Sequence, residues 1–472
     1  MKHSNKRKEK DSLGEVQVPK EAYFGAFTVR AQKNFQISQF KSHKTFKEAL
    51  GVVKLAAAQS NYSLKLLTKK EFSAIEKAAK EFIDGKFDKE FTLDVFQAGA
   101  GTSYNMNTNE IIANRANELL KDKKGEYKYI HPNNHVNLGQ STNDVIPTAT
   151  RIAILFLLPT LLHEITALEE EIGEKQEKYK DLIKVGRTHL QDAVPITFGQ
   201  EFDSYREALI KSRKYITDLS EELQTLGIGG TAVGTGINTD PKYKQNMLKN
   251  LTKLTGIKFY KTKNATEIAN NMNAFMNFSS GLRSLTTNLL NLSSNLMLMN
   301  TGPKAGIGEI DLPEVQPGSS IMPGKINPSI PESVIMTCLH VLGSDKTVEL
   351  AAQRSQFELN VMCPLIMFEI LSSMELLSSA MKTLTNFCVK GLKVNEKRTT
   401  ELLEKSLCNA TSLVPYIGYL KTAKIVKETL KKGTKIREEL IAQKVFTEKE
   451  LNELFSVELT TKPSKIRKKL VK

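Results

Sequence analysis

From about Val145 to Leu392 the chain repeats apolar residues at intervals of three and four over stretches much longer than an ordinary helix. Phe198, Phe202, Tyr205, Leu209, Ile216, Leu219 and Leu223 form one such stripe, with Ser212 its one polar slot. Similar stripes run from Ile268 to Met299 and from Val334 to Leu359. Glycine-rich breaks at Gly227–Gly236 and Gly302–Gly308 separate them. Long stripes with widely spaced breaks must bury one another, which predicts a bundle of long helices. Strand signals are sparse, so the fold is expected to be mainly α. Val52–Leu67 and Lys70–Phe82 also read as helices, the second with Ile75, Ala78, Ala79 and Phe82 in register. Residues 11–50, with Pro19 and two glycines, read as loops and short helices. Asn395–Lys472 reads as a small terminal domain of short amphipathic helices broken at Gly418 and Gly433.

The 472 residues suffice for roughly two to four domains. A hydrophobic share of 40% and a charged share of 25% describe a soluble globular chain. The most apolar run, Ile152–Leu162, contains Pro159 and is too short to span a bilayer. Met1–Lys10 lacks an apolar segment behind its charges, so a cytoplasmic location is expected and no membrane partner. Cys338, Cys363, Cys388 and Cys408 form no C-x-x-C pair and read as reduced thiols. His131 and His135 flank Pro132, Asn133 and Asn134, which reads as a loop, and no metal site is expected. The net charge of +15 raises the question of nucleic acid. Much of the excess is terminal: Lys2, Lys6, Arg7, Lys8 and Lys10 at one end, Lys462, Lys465, Arg467, Lys468, Lys469 and Lys472 at the other. Such tails are usually solvated. Without an RNA-reading motif, nucleic acid is not the expected partner. A non-enzymatic protein that holds polyanions through these tails is the alternative from another class.

Four polar segments interrupt the helical pattern. Gly318-Ser-Ser-Ile-Met-Pro-Gly-Lys-Ile-Asn-Pro328 sets Gly318 and Gly324 against Pro323 and Pro328, giving a movable loop with few shapes. Ser319, Ser320, Lys325 and Asn327 on one such loop suit a small carboxylate; the plainer reading is a surface turn. Gln97-Ala-Gly-Ala-Gly-Thr-Ser103 precedes a helix expected near Asn105, and helix N-termini favour anions. On this segment alone the plainer reading, an ordinary capped helix, is the better one. A dinucleotide loop would need a preceding strand and G-x-G-x-x-G spacing, so no cofactor is expected. Ser141-Thr-Asn143 precedes another long helix, either as a cap or as a hydrogen-bonding site. Gly186-Arg-Thr-His-Leu-Gln-Asp192 places His189 among polar residues, where it is either a structural hydrogen-bonder or a proton carrier.

Taken together, these segments resemble the aspartase/fumarase superfamily. Gly318–Pro328 looks like its signature loop. Gly101-Thr-Ser103 with Asn105-Met-Asn-Thr-Asn-Glu110, Gln140-Ser-Thr-Asn-Asp144, Gly186–Asp192, Gly230-Thr-Ala-Val-Gly-Thr-Gly236 and Phe357-Glu-Leu-Asn-Val361 are similar to further blocks in the same order. The resemblance runs from about Asp11 to Lys462. It implies a three-domain α fold with a central long-helix bundle, divided at 1–143, 144–394 and 395–472. It also implies a homotetramer whose active sites each draw on three subunits.

The implied chemistry is cofactor-free elimination from a small dicarboxylate or amino-acid substrate to give fumarate. Proton removal beside a carboxylate builds an aci-carboxylate dianion, and one well-aimed donor can lower that barrier by roughly 2.7–4 kcal/mol. The resemblance implies that Ser319 is the base, with Thr102, Ser141, Thr142 and Ser320 on the carboxylate that becomes the dianion. Lys325, Asn327 and Thr188 would hold the other carboxylate. His189 and Asn143 would meet the leaving group, with Glu332 paired to His189. Ser103 and Thr142 resemble the ammonia-releasing branch, where fumarases usually carry G-T-Q and Q-S-S-N-D. Thr108, Val194 before Pro195, and Asn360-Val-Met362 lean the same way. Gly229-Gly-Thr231, Gly306-Ile-Gly308 and Phe357-Glu-Leu359 look more like the water-releasing branch. Adenylosuccinate and argininosuccinate lyases share a similar loop but lack the Asn105–Glu110 block.

Overall fold

A computed structural model describes residues 5–472, so Lys2 lies outside the described residues. The chain begins with a hairpin of β1 (Lys6–Asp11) and β2 (Gly14–Pro19), then α1 (Ala26–Asn34), α2 (Lys44–Ser63), α3 (Lys69–Ile83) and α4 (Thr102–Leu119). It continues with α5 (Thr142–Lys178), a hairpin of β3 (Ile183–Thr188) and β4 (Gln191–Thr197), and α6 (Phe198–Ser220). After α7 (Tyr243–Thr255) and α8 (Ala265–Asn270) come α9 (Asn273–Met299), α10 (Ser329–Ala352) and α11 (Cys363–Leu384). Short helices fill the remainder. Each sheet among the described residues has two strands. The fold is mainly α.

Two contact units interleave along the chain. The first holds Met1–Leu162, Lys214–Ser284 and Leu339–Leu377, the second His163–Arg213, Leu285–Cys338 and Ser378–Lys472. Each change of unit falls inside α5, α6, α9, α10 or α11. In the first unit α2 and α3 pack through Leu50, Ile75 and Phe82, and Gly51 lies so close to Phe82 and Ile83 that a Cβ would clash. In the second, Phe198, Phe202 and Leu209 of α6 are buried, and the polar slot Ser212 is satisfied: its Oγ donates to the Ala208 carbonyl and accepts from Asn288 Nδ2 at 2.8 Å. Leu413, Ile425, Leu440, Leu451 and Leu454 close a C-terminal cluster in the same unit.

The apolar run Ile152–Leu162 sits inside a 37-residue helix that is long and apolar enough to cross a membrane. The separate helical stretch Cys363–Val389 is also long and apolar enough. Of their most apolar windows, 67% and 61% are buried in the fold, so protein covers them.

Several local expectations change. Residues 6–19 form a hairpin, where loops were expected from residue 11 on and a solvated basic tail before it; alternating exposure along Glu15–Pro19 suits a strand. The N-terminal cations are part of it. Arg7 donates to the carbonyls of Pro19, Lys20, Ala22 and Phe24 and pairs with Glu9. At the other end Leu470 is buried, and Arg467, Lys469 and Lys472 pair with Glu458, Glu453 and Glu450. These docked termini are poor free polyanion arms. His131–Val136 is a helical turn, not a loop: His131 Nδ1 accepts from the Asn133 and Asn134 N–H groups. The stripe beginning at Ile268 breaks at Asn271, whose Oδ1 takes the Asn273 N–H and starts α9. The Val334 stripe ends at Ala352, because buried Asn360 donates to the Ala351 and Ala352 carbonyls and turns the chain into a small hairpin.

One buried carboxylate ties the N-terminal region to α4. Glu110 accepts from the N–H groups of Gly25, Phe27 and Thr28 and from the Thr28 hydroxyl, at 2.6–3.1 Å. It thereby satisfies the otherwise orphaned start of α1. Glu110→Ala is expected to destabilise the fold by about 2–4 kcal/mol, since buried donors lose their acceptor. Urea unfolding of the variant beside the parent measures this.

Candidate active site

The head of α4 is shaped by a Gly-Ala-Gly turn. Ala100 (φ 60°) and Gly101 (φ 84°) are both left-handed, and a Cβ at Gly101 would press on Ile146 at 3.1 Å. The Ala100 N–H donates to the Val361 carbonyl at 2.8 Å, which seats the turn on the segment after Asn360. The helix therefore starts at Thr102, three residues before Asn105. Thr102 is half-buried, and Ser103 is fully buried with its hydroxyl unpartnered. Gln97 caps the first turn by accepting from the Tyr104 N–H.

Ser141, Thr142 and Asn143 stand at the head of α5, half-buried. Ser141 Oγ accepts from the Asn143 N–H at 3.2 Å, as a cap does. Asn143 Nδ2 donates to the Ala232 carbonyl. The segment caps the helix, and Thr142 stays half-buried beside the cap. The anchor is Asp144. Its carboxylate accepts from the N–H groups of Ser141, Gly229 and Thr231 at 2.9–3.0 Å, joining the block to the glycine-rich turn. Burial pushes its pKa up to about 6 against those three donors.

Beneath this lies Lys54 of α2, wholly buried. Its Nζ donates to Asn105 Oδ1 (2.6 Å), Gln140 Oε1 (2.9 Å) and Asn137 Oδ1 (3.0 Å). No carboxylate lies within ion-pair distance of it among the described residues, and burial pulls its pKa down to about 7. Asn105 Nδ2 in turn donates to Thr142 Oγ1 at 3.3 Å. Thr102, Ser103, Ser141, Thr142 and Asn143 all belong to the first unit, and the Asn105 bond together with the Gly101–Ile146 contact joins the heads of α4 and α5.

The remaining candidates belong to the second unit. Thr188 and His189 lie exposed at the tip of the β3–β4 hairpin. His189 (φ 54°) and Leu190 (φ 60°) form a two-residue turn of the left-handed kind that hairpins favour. Gly186 allows the bulge beside it, since a Cβ there would lie 2.5 Å from the Val194 carbonyl oxygen. Arg187 pairs in a fork with Glu309 at 3.0 Å, and Lys184 reaches the same carboxylate at 3.1 Å. Fully buried Glu309 thus anchors the hairpin to the stretch that leads into the signature loop.

That loop closes on itself. The Gly318 N–H donates to the Lys325 carbonyl at 2.8 Å, Asn327 Nδ2 donates to the Gly318 carbonyl at 2.8 Å, and Lys325 Nζ donates to Asn327 Oδ1. Ser319 Oγ accepts from the N–H groups of Ile321 (3.2 Å) and Met322 (3.0 Å). Two amide dipoles aimed at one hydroxyl oxygen favour its negative form. Ser320 and Lys325 are exposed, and Asn327 is half-buried. Glu332 stands in the first turn of α10 and makes no hydrogen bond or ion pair with His189 within this chain. The candidates therefore form a first-unit group at two helix heads, and in the second unit a hairpin tip and a ring-shaped loop.

Lys54, Asn105, Asp144 and Glu309 carry this geometry and were not singled out from sequence. Asn105 and Asp144 lie inside quoted motif blocks. Lys54 had a signal of its own: it is the one charged residue in the apolar run Gly51-Val-Val-Lys-Leu-Ala-Ala-Ala58.

Residues 14–343 match a family model described as Lyase, and residues 410–462 one described as Fumarase C C-terminus. The chain belongs to the aspartase/fumarase superfamily of lyases. An aspartate ammonia-lyase of Bacillus sp is 43% identical over 97% of this chain and 98% of its own. A class II fumarate hydratase of Bradyrhizobium diazoefficiens is 40% identical over 97% of each. The crystal structure of a fumarate lyase:delta crystallin from Brucella melitensis superposes with a TM-score of 0.92 at 43% identity, covering 95% of this chain and 98% of that one. Every candidate from Thr102 to Glu332 lies inside the lyase match, and the second match falls on the C-terminal cluster.

In this superfamily member the loop's ring depends on Gly318, where a Cβ would stand 2.4 Å from the Lys325 carbonyl oxygen. Gly318→Ala is expected to open the ring and speed limited proteolysis within 318–327 by about tenfold. Thermal unfolding should stay nearly unchanged, within about 0.5 kcal/mol, because the loop is exposed.

Proposed function

We propose that the protein is an aspartate ammonia-lyase that reversibly converts L-aspartate to fumarate and ammonia. Ser319, ionised, takes a proton from Cβ, and the adjacent carboxylate becomes a dianion held by Thr102, Ser141, Thr142 and Ser320. The electron pair then returns to form the double bond as the Cα–N bond breaks. Lys325, Asn327 and Thr188 hold the second carboxylate. His189, oriented by Glu332, and Asn143 meet the departing amine, and buried Ser103 shapes the wall behind Thr102. Preference for ammonia over water rests on the Ser103 and Thr142 blocks, with support from the aspartate ammonia-lyases among its relatives.

The observation that carries the reaction class is Ser319 Oγ with two backbone N–H donors inside a closed ring that also contains Lys325. A neutral serine is a poor base, so donors to its oxygen are what the role requires. The same proposal includes a cytoplasmic homotetramer with domains at 1–143, 144–394 and 395–472. Its shared sites let one subunit's Glu332 meet another's His189.

A second reading, class II fumarate hydratase, is favoured by a relative of that name at 40% identity and by the Gly306-Ile-Gly308 motif. Fumarate absorbance followed with L-aspartate and with L-malate separates the two: faster appearance from aspartate is expected, and faster appearance from malate would replace the first reading by the second. Ser319→Ala is expected to lower turnover by about 10²–10⁴-fold with the oligomer intact, as sedimentation would register. Retained turnover would remove Ser319 as the base.

A further inference from the structure

Three amide oxygens surround Lys54 Nζ, the setting of its ammonium form, which offers three N–H bonds and accepts none. Each atom facing it must therefore be an oxygen, and it is: Asn105 Oδ1, Asn137 Oδ1 and Gln140 Oε1 at 2.6–3.0 Å. This settles the orientation of three amides at once. With their oxygens turned inward, their nitrogens face outward as donors. Gln140 Nε2 donates to the Val136 carbonyl and Asn137 Nδ2 to the Gln140 carbonyl. Asn105 Nδ2 spends one hydrogen on Asn137 Oδ1 at 3.2 Å and the other on Thr142 Oγ1 at 3.3 Å.

Thr142 Oγ1 is thus an acceptor on its inner side. Its own hydrogen is not needed within the network, and Thr142 is half-buried at the helix head, beside Ser141, whose oxygen likewise accepts from the Asn143 N–H. We propose that Lys54 and Asn105 are positioning residues that fix Thr142 as an outward hydrogen-bond donor to a substrate carboxylate, through an ammonium-to-amide-to-hydroxyl chain of fixed direction. When protonated, Lys54 also brings a positive charge under these helix heads, held by three amide oxygens. This inference rests on the reading of Thr142 as a carboxylate ligand.

The test reverses the polarity without removing atoms. Asn105→Asp keeps an oxygen toward Lys54 and replaces the N–H₂ that faces Thr142 and Asn137 by an oxygen. The Thr142 hydroxyl must then donate inward, away from substrate. Asn105→Ala deletes the contact and leaves the hydroxyl free to turn either way. The expected order of loss in kcat/KM for aspartate is Asn105→Asp, about tenfold to a hundredfold, then Asn105→Ala. In a Thr142→Val background the Asn105→Asp loss should shrink to under about threefold, because there is no hydroxyl left to misdirect. A purely structural Asn105 also suffers from Asn105→Asp, through its bond to Asn137 Oδ1, but suffers as much without the Thr142 hydroxyl as with it. An undiminished Asn105→Asp loss in the Thr142→Val background overturns the proposal. Should Asn105→Asp not fold, the Asn105→Ala and Thr142→Val cycle decides alone: equal Asn105→Ala losses with and without the hydroxyl overturn it. If the parent protein turns over neither aspartate nor malate, the functional reading fails on its own. The same order is then read in succinate affinity by calorimetry.

Discussion

Five helices of 22 to 37 residues must each bury an apolar stripe along their length, and the rest of the structure is arranged around that requirement. Rods of this length leave the interior few places for polar side chains, so chemistry collects where they begin, end or are joined. Ser141 to Asn143 open α5, Thr188 and His189 tip the hairpin between α5 and α6, and Ser319 to Asn327 lead into α10. Thr102 opens the shorter α4 and is held to α5 through Asn105. The glycines at 101, 186 and 318 are needed where the chain turns too sharply, or passes another backbone too closely, to admit a Cβ.

The two groups of candidate residues are held in different physical ways. At the heads of α4 and α5 the amides of Asn105, Asn137 and Gln140 and the Asp144 carboxylate are held by several hydrogen bonds each and have little freedom to reorient. The 318–327 loop is exposed and held by its own hydrogen bonds, with Ile321 84% exposed.

The long helices and the polar segments between them were legible in the residues because both leave strong local marks: periodic apolar positions, and glycines clustered with hydroxyls and amides. The α6 stripe extends as expected, including its one polar slot. What was not legible depends on distant partners. The strand character of Lys6–Asp11 comes from Gly14–Pro19 and from carbonyls that Arg7 reaches once folded. The Val334 stripe continues past Ala352 by pattern, yet an amide at Asn360 ends the helix. Lys54 is marked in the sequence only as a charge in an apolar run, a signal that was passed over, and nothing local says which amides will meet it. Superfamily resemblance placed the candidate segments in order, and their chemistry could then be argued residue by residue.

The four cysteines have a consequence of their own. All are buried, and burial raises their thiols, Cys338 to about 11 and Cys363 and Cys388 to about 12, with Cys408 also raised. At neutral pH they are protonated and shielded, so alkylating reagents meet them only when the surrounding helices part. Cys408 lies beside the C-terminal cluster and the other three on or just after α10 and α11, so the chain carries built-in reporters of opening in separate regions. Their relative labelling rates would rank which part of the fold breathes first.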